Sequence, residues 1–426
     1  MRLWRDVVED YLYISKIRIN NKLCMFKLQM NIIQEMLSNT DTIDGYKELE
    51  EKLTEDVKKG EITKENFEHE KEHIESEIYS TNILNKALRE VVDGIVWKYF
   101  QHNRAILHML ADKEPIETIR LDQGTINNLH EFSDVFLAPD AVAIYNDITN
   151  FLRVGDVTQI KEDGSIEIIE VKARKKRGRR ITRQKERMSD LVQFFNTGYT
   201  DYDGKVVKIM NSSIKQKNYL SLLRDAIQKA RHKGLESLLI GKHLIVEIVD
   251  LRKAKDADKC ISYFESRHKT VQEEWSKTKD FVHSSFFMDK MDYSKTCAPF
   301  SIYPFDIGTI TDIIMGRLII RVLFNFSELL RILKKSGWSI EDALIFKSED
   351  EIKALRSKRV RDVSFLKVRK RPLTIDVPPG LIARMQYELL SPSSVIEEFE
   401  EIRERGLQED FDLCLTNYAE DQKIWN

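Results

Sequence analysis

A chain of 426 residues, 42% hydrophobic and 32% charged, is long enough for two or three domains with their own cores, and it falls outside the disordered, collagen-like and disulfide-scaffold classes. Lys and Arg number 68 against 70 Asp and Glu, a formal net charge of −2, so global charge announces no nucleic-acid partner and any such signal must lie in local patterning. The four cysteines, Cys24, Cys260, Cys297 and Cys414, are far apart and form no CxxC or Cys/His cluster, which excludes a zinc ribbon or a disulfide framework. The N-terminal MRLWRDVVEDYLY lacks the apolar core of a signal peptide, and the most apolar run, near 313–323, is too short to span a bilayer and carries Arg317 and Arg321. A cytoplasmic protein is expected.

Residues 1–80 read as a helical, solvated arm, with helices over 44–59 and 63–79 around Lys59-Gly60-Glu61. Phe67, Ile74 and Ile78 are sparse among Glu and Lys, the pattern of a helical hairpin or coiled-coil arm that packs on a partner protein or on a second copy of the chain. The arm contains His69-Glu70-Lys71-Glu72-His73, a match to H-E-x-x-H that puts both histidines on one helical face, as a zinc peptidase needs. Its flanks are almost wholly charged, whereas a peptidase helix is buried, so two solvated histidines are the expected reading.

From residue 81 to 110 the pattern changes. Leu84, Leu88, Val91, Val92, Ile95 and Val96 recur at helical spacing, a broad apolar face that belongs to a core. In 111–150, strands are expected over 134–137 and 142–144 around Pro139. Asp140 after that proline is a second carboxylate candidate, less favoured because it stands far from Glu170.

The stretch VGDVTQIKEDGSIEIIEVK, 154–172, reads as two β-branched strands joined at Glu162-Asp163-Gly164. A three-residue loop closed by Gly164 in the left-handed region sets the register: Lys161 opposite Ser165, Ile160 opposite Ile166, Thr158 opposite Ile168, and Asp156 opposite Glu170. Lys172, two residues past Glu170, points to the same face. Two carboxylates and a lysine then meet at the open end of the hairpin. Opposed carboxylates repel, and their hard oxygens suit Mg²⁺, with Mn²⁺ as a substitute.

Gly155-Asp156, thirteen intervening residues and Glu170-Val171-Lys172 resemble the signature of the PD-(D/E)xK nuclease superfamily, with Gly155 where the pattern's usual proline would stand. The resemblance implies an α+β fold with a restriction-endonuclease-like αβββαβ core. It also implies Asp156 and Glu170 as metal ligands, Lys172 as a catalytic group that orients or activates water, and Glu90 on the preceding helix as an extra metal ligand. Gln184, on the helix after the motif, is the supporting catalytic residue, with Gln193 as the fallback.

After Lys172 the chain runs ARKKRGRRITRQKER, so that ten of the sixteen residues from Lys172 to Arg187 are basic. Arg174, Lys175, Lys176, Arg177, Arg179, Arg180, Arg183, Lys185 and Arg187 abut the proposed metal site, where a phosphodiester backbone would lie, and such contacts supply most sequence-independent nucleic-acid affinity. A helix begins near Thr182. A short hairpin follows around Asp203-Gly204, then an amphipathic helix over 219–231 and a near-continuous apolar strand over 243–251. That order completes the αβββαβ expectation and bounds the nuclease-like domain at 81–251, between the arm at 1–80 and a mostly helical region at 252–426.

In that last region a charged helix is expected over 265–281, a strand over 299–304, a long helix over 309–335, a basic segment over 356–371 and an acidic helix over 394–405. The resulting expectation is a Mg²⁺-dependent nuclease acting on DNA, with RNA as the alternative substrate. Association with large flanking regions points to restriction or phage defence. The competing expectation is a non-catalytic nucleic-acid-binding or scaffolding subunit, and a remote one is the zinc peptidase of His69 and His73.

Overall fold

Two long helices dominate the N-terminal half, and their ends are written in local chemistry. The computed structural model describes residues 4–17, 21–111, 119–138, 141–161, 165–171, 194, 197–202, 205–212, 214–254, 256–293, 296–343, 366–406 and 413–418. The chain is α+β and divides into two compact units, Met1–Thr197 with Pro299–Ile302, and Gly198–Ala298 with Tyr303–Asn426.

In the first unit, α1 is Trp4–Ile17, α2 Lys22–Lys59, α3 Lys64–Tyr99, α4 Arg104–Leu110 and α5 Gln123–Leu137. Asn21 caps α2 by accepting from the Cys24 N–H, and Gly60, at φ +77°, closes its far end by donating to helical carbonyls. Thr63 then caps α3 by accepting from the Asn66 N–H. α2 and α3 fold back as a hairpin, pinned midway by a buried hydrogen bond of 2.8 Å from Asn39 to Asn85. The boundary expected at 80/81 falls inside α3, which is continuous: the shift from charged to apolar sequence marks where one helix passes from solvent into the core, with Val91, Val92, Ile95 and Val96 fully buried.

The core face of α3 receives a segment from far along the chain. The expected strand over 299–304 is instead a single 3₁₀ turn, Phe300–Ile302, seated on α3. A Cβ on Gly94 would lie 2.0 Å from the Ser301 hydroxyl, so only glycine permits this approach. The Ser301 hydroxyl donates to the Glu90 carbonyl at 2.6 Å.

The first unit also holds one three-stranded antiparallel sheet, β1 (Ala141–Tyr145), β2 (Val157–Lys161) and β3 (Ile166–Ile169), with β2 central. The strand expected over 134–137 is the last turn of α5; Phe132 and Val135 are its buried face, a helical spacing that a short apolar run conceals.

In the second unit β4 (Tyr199–Tyr202) and β5 (Lys205–Ser212) form the hairpin expected there, and β13 (Leu413–Tyr418) adds in parallel to β5. Helix α6 (Leu220–Lys233) ends on Gly234 and leads into β6 (Leu235–Ile240) and β7 (Leu244–Asp250). Then come α7 (Ala257–Arg267), α8 (Lys269–Lys277), β8 (Val282–Phe286), α9 (Ile307–Ile314), β9 (Leu318–Asn325), α10 (Phe326–Lys335), β10 (Ser339–Ala343), β11 (Leu366–Lys370), β12 (Leu373–Val377), α11 (Pro379–Tyr387) and α12 (Pro392–Gly406). The central sheet runs β6-β7-β9-β8, all antiparallel, and a second sheet runs β10-β11-β12.

Three expectations change here. The single helix expected over 309–335 is helix, strand and helix: Gly316 at φ +66° turns the chain, and β-branched Ile319, Ile320 and Val322 alternate across a sheet. The charged helix expected over 265–281 is interrupted at His268. The strand over 243–251 exists as β7, but its partners are β6 and β9 and not the β1-β2-β3 sheet, so it does not close an αβββαβ core spanning 81–251. Among the described residues no helix is long and apolar enough to cross a membrane.

Candidate functional site

The β2–β3 register is the one expected from the sequence up to the open end: Ile160 pairs with Ile166, Thr158 with Ile168 and Val157 with Ile169, and Lys161 donates to the Ser165 carbonyl. The period of two puts Thr158, Ile160 and Ile168 inward, while Lys161 and Glu167 form an exposed ion pair of 3.3 Å on the other face.

At Asp156 the pairing departs from the expected one-to-one opposition. The Asp156 N–H donates to the Ile169 carbonyl at 2.8 Å, and its carboxylate Oδ2 accepts from the Val171 N–H at 2.6 Å. Asp156 therefore brackets Glu170, engaging the peptide groups on both sides of it. The cause is Gly155, which adopts φ +73° and turns the chain into the strand. A Cβ there would lie 2.5 Å from Ile168 Cγ2 and 3.0 Å from the Ile169 carbonyl oxygen. Proline, locked near φ −65°, cannot hold this geometry, which explains why glycine stands at the position.

The other oxygen of Asp156 accepts from the side-chain amide of Asn128 on α5, at 3.0 Å. Burial pushes the Asp156 carboxyl above the usual carboxylate range and the nearby Asp147 charge adds to this, while the Val171 N–H and the Asn128 amide act in the opposite direction. Tyr145, fully buried at the end of β1, is raised by burial, then by Asp147 and by Asp156. Asp147, Asn128 and Tyr145 went unread in the sequence because they lie in 111–150, where α5 and the following turn carry no strong periodic signal.

The turn between β1 and β2 is stapled from both sides. The Asn146 side chain donates to the carbonyls of Val154 at 2.9 Å and Gly155 at 3.1 Å, and accepts from the Thr158 hydroxyl at 2.9 Å. Asp93 of α3 accepts from the Asn150 N–H at 2.8 Å and from its side-chain amide at 2.6 Å. Arg89, one turn earlier, donates to the Asp147 carbonyl at 3.3 Å. Burial and the neighbouring Arg153 lower the Arg89 guanidinium to about 10, against the pull of Asp93 and Asp147. Helix α3 thus holds the loop that presents Asp156.

Glu90, expected as an extra ligand, is 1% exposed, and its Oε2 accepts from the Phe300 N–H at 2.7 Å. Its visible role is to anchor the 300–302 turn on α3. Among the described residues no group of three or more His, Cys, Asp and Glu is arranged to hold a metal ion. His69, with its side chain 84% exposed, and exposed His73 lie on the solvated part of α3.

Lys172, Gln184, the fallback Gln193, the alternative Asp140, and Arg174, Lys175, Lys176, Arg177, Arg179, Arg180, Arg183, Lys185 and Arg187 lie outside the described residues. Of the sequence-derived set, Asp156 and Glu170 both lie at the open end of the β2–β3 hairpin, where Asp156 is hydrogen-bonded to the backbone of Ile169 and Val171 on either side of Glu170. No family model, no curated protein and no solved structure matches this chain.

Proposed function

We propose that this chain is a Mg²⁺-dependent nuclease that hydrolyses phosphodiester bonds of DNA, with the succession α3, β1, β2, β3 as the first half of a restriction-endonuclease-like core. The observation that supports the reading is the bracketing of Glu170 by Asp156, two acidic residues at one sheet end that are followed in the sequence by a strongly basic run.

The donor set fits the ion. Mg²⁺ prefers hard oxygens and is commonly held by one or two carboxylates, with waters and substrate phosphates completing its shell. Each Asp156 oxygen accepts one hydrogen bond, from Asn128 or from Val171, and a carboxylate oxygen has a second lone-pair site to offer. Asp156 and Glu170 would hold the metal, which would supply polarisation of the scissile phosphate and a lowered pKa for an attacking water. The chain's own residues do the rest. Asn128 and the Val171 N–H hold the Asp156 carboxylate in one orientation. Lys172 orients the water and offsets charge building on phosphorus. The run from Arg174 to Arg187 grips the backbone, with Gln184 supporting the site. A restriction or phage-defence setting suits such an activity.

The direct test is cleavage of a panel of DNA and RNA substrates with Mg²⁺, Mn²⁺ or EDTA, comparing wild type with Asp156→Asn and Glu170→Gln. Metal-dependent cleavage lost in both variants is the expected result. Wild-type activity in Asp156→Asn overturns the assignment. A second reading, a non-catalytic nucleic-acid-binding subunit, is favoured by one observation: both Asp156 oxygens already have a protein donor. It predicts binding without cleavage in every metal.

A further inference from the structure

The second unit contains a cleft of about 540 Å³ on one face of the β6-β7-β9-β8 sheet, under α7. The sheet's alternation creates it. On β9, Leu318, Ile320, Val322 and Phe324 are buried in the core, while Ile319 and Arg321 face the other way. Ile319 pairs with Val249 and Arg321 with Glu247 on β7, and Phe286 of β8 lies opposite Arg321 on its other side. Glu247, Arg321 and Phe286 therefore form a row across three strands at the cleft floor. Helix α7 closes the space with Cys260 and Phe264, both buried.

The chemistry of the floor is lopsided. Glu247 is 1% exposed, and its Oε2 accepts from Arg321 Nε at 2.5 Å. Its Oε1 is buried and has no hydrogen-bond partner among the described residues. A buried carboxylate oxygen without a donor is costly, and Glu247 lines the same space as Phe264, Phe286, Ile319 and Val249. Asp256 and Glu265 also line the cleft, and Lys259 lies 3.3 Å from the Asp256 carboxylate. Among the described lining residues Glu247, Asp256 and Glu265 are acidic and Arg321 is basic, and the Arg321 guanidinium is already matched by Glu247, so negative charge is in excess. Such a cleft repels an anion and calls for a donor that carries positive charge.

The geometry points to a binding site for a small organic cation, an aromatic or aliphatic body bearing a protonated primary amine. The amine pairs with the Glu247 carboxylate on the cleft floor, and the body packs between Phe264 and Phe286. A cleft of this size suits a ligand of that class. Nothing in the nuclease reading requires this site; it stands on the second unit alone.

The test is calorimetric titration of the full chain with three probes of one shape: 2-phenylethylamine, the neutral 2-phenylethanol and the anionic phenylacetate, with hexylamine as the aliphatic amine. Saturable binding of an amine at least tenfold tighter than the alcohol, with no binding of phenylacetate, is expected. Glu247→Gln should weaken the amine at least tenfold and bring it level with the alcohol. Because Glu247 is buried and holds Arg321, Phe286→Ala provides an independent arm. Phe286 is 49% exposed, so its removal should leave the melting temperature near wild type while weakening amine and alcohol alike. Failure of both amines to bind saturably, equal affinity for amine and alcohol in the wild type, preference for phenylacetate, or amine binding indifferent to Phe286→Ala each overturns the proposal.

Discussion

Asp156 reaches Val171 with its side chain, at 2.6 Å, and Ile169 with its backbone, at 2.8 Å, so the geometry of Glu170 depends on a residue fourteen positions away in the chain. The aspartate is at once a proposed ligand and the clamp that shapes the strand end. It holds that position against its own desolvation.

The first prediction follows from that cost. The Asp156 carboxyl is raised in the fold, chiefly by burial, so the folded chain retains a proton that the unfolded chain releases. Stability linked to this group is full below the unfolded carboxylate pKa, about 4, and is lost as pH rises through the folded value. A divalent cation that binds the ionised form reverses the trend above that window. Urea midpoints from about pH 3 to about pH 7, with and without Mg²⁺, check this. Asp156→Asn should flatten the metal-free profile and abolish the Mg²⁺ effect; Asp156→Ala should also cost about 1–3 kcal/mol, because the Val171 N–H and the Asn128 amide lose their acceptor.

Asn128 should be separable from the metal ligands. Its amide favours the charged form of Asp156, so Asn128→Ala raises the Asp156 pKa further. Cleavage that needs ionised Asp156 should then show its acidic limb at higher pH, with activity at the plateau reduced by about tenfold, the equivalent of one lost hydrogen bond to a charged group. A pH–rate profile superimposable on wild type would remove Asn128 from the site.

Gly155→Pro tests the backbone argument. The φ of +73° is closed to proline and strained for any L-residue, and the Ile168 methyl blocks a Cβ. Gly155→Ala should cost about 1–3 kcal/mol and Gly155→Pro more, each with loss of cleavage although no carboxylate is touched. A Gly155→Pro variant as stable as wild type would show that the turn into β2 does not need this conformation.

The basic run makes a salt-dependent prediction. Replacing Arg174, Lys175, Lys176, Arg177, Arg179 and Arg180 with Ser should weaken DNA binding with little sequence preference. The slope of log affinity against log salt should flatten by about 0.7–0.9 for each phosphate that is no longer neutralised. Mn²⁺ binding at Asp156 and Glu170 should persist. Unchanged affinity and slope would move the nucleic-acid surface elsewhere.

His243 sets an acid limit on the second unit. Burial against Tyr219 and Phe324 lowers its imidazole to about 4, with Glu328 opposing the shift. The ring is neutral in the fold and protonates in the unfolded chain at about 6.5. Its contribution is therefore present above that value and is lost as pH falls toward 4. At about 1.4 kcal/mol per unit, the loss is up to about 3 kcal/mol. His243→Phe should flatten this part of the profile in denaturant titrations; an unchanged slope between the two values would refute the assignment.

The sequence by itself determined the β2–β3 register, because side chains alternate faces with a period of two and a one-residue slip would expose Ile160 and Ile168. It also determined the α2–α3 turn at Gly60 and the β4–β5 hairpin, where local chemistry leaves few alternatives. Only the tertiary structure decided that Glu90 anchors Phe300, that Asn128 serves Asp156, and that β7 joins β9 and not the β1-β2-β3 sheet. An apolar run records that a segment is to be buried without recording against what, and β9 shows the consequence: 318–325 is as apolar as a helix core until its register with Glu247 and Phe286 makes it a strand. Partners more than a hundred residues apart, such as Glu90 and Phe300, leave no periodic trace, because their meeting is decided by how whole elements pack and not by the chain around either residue.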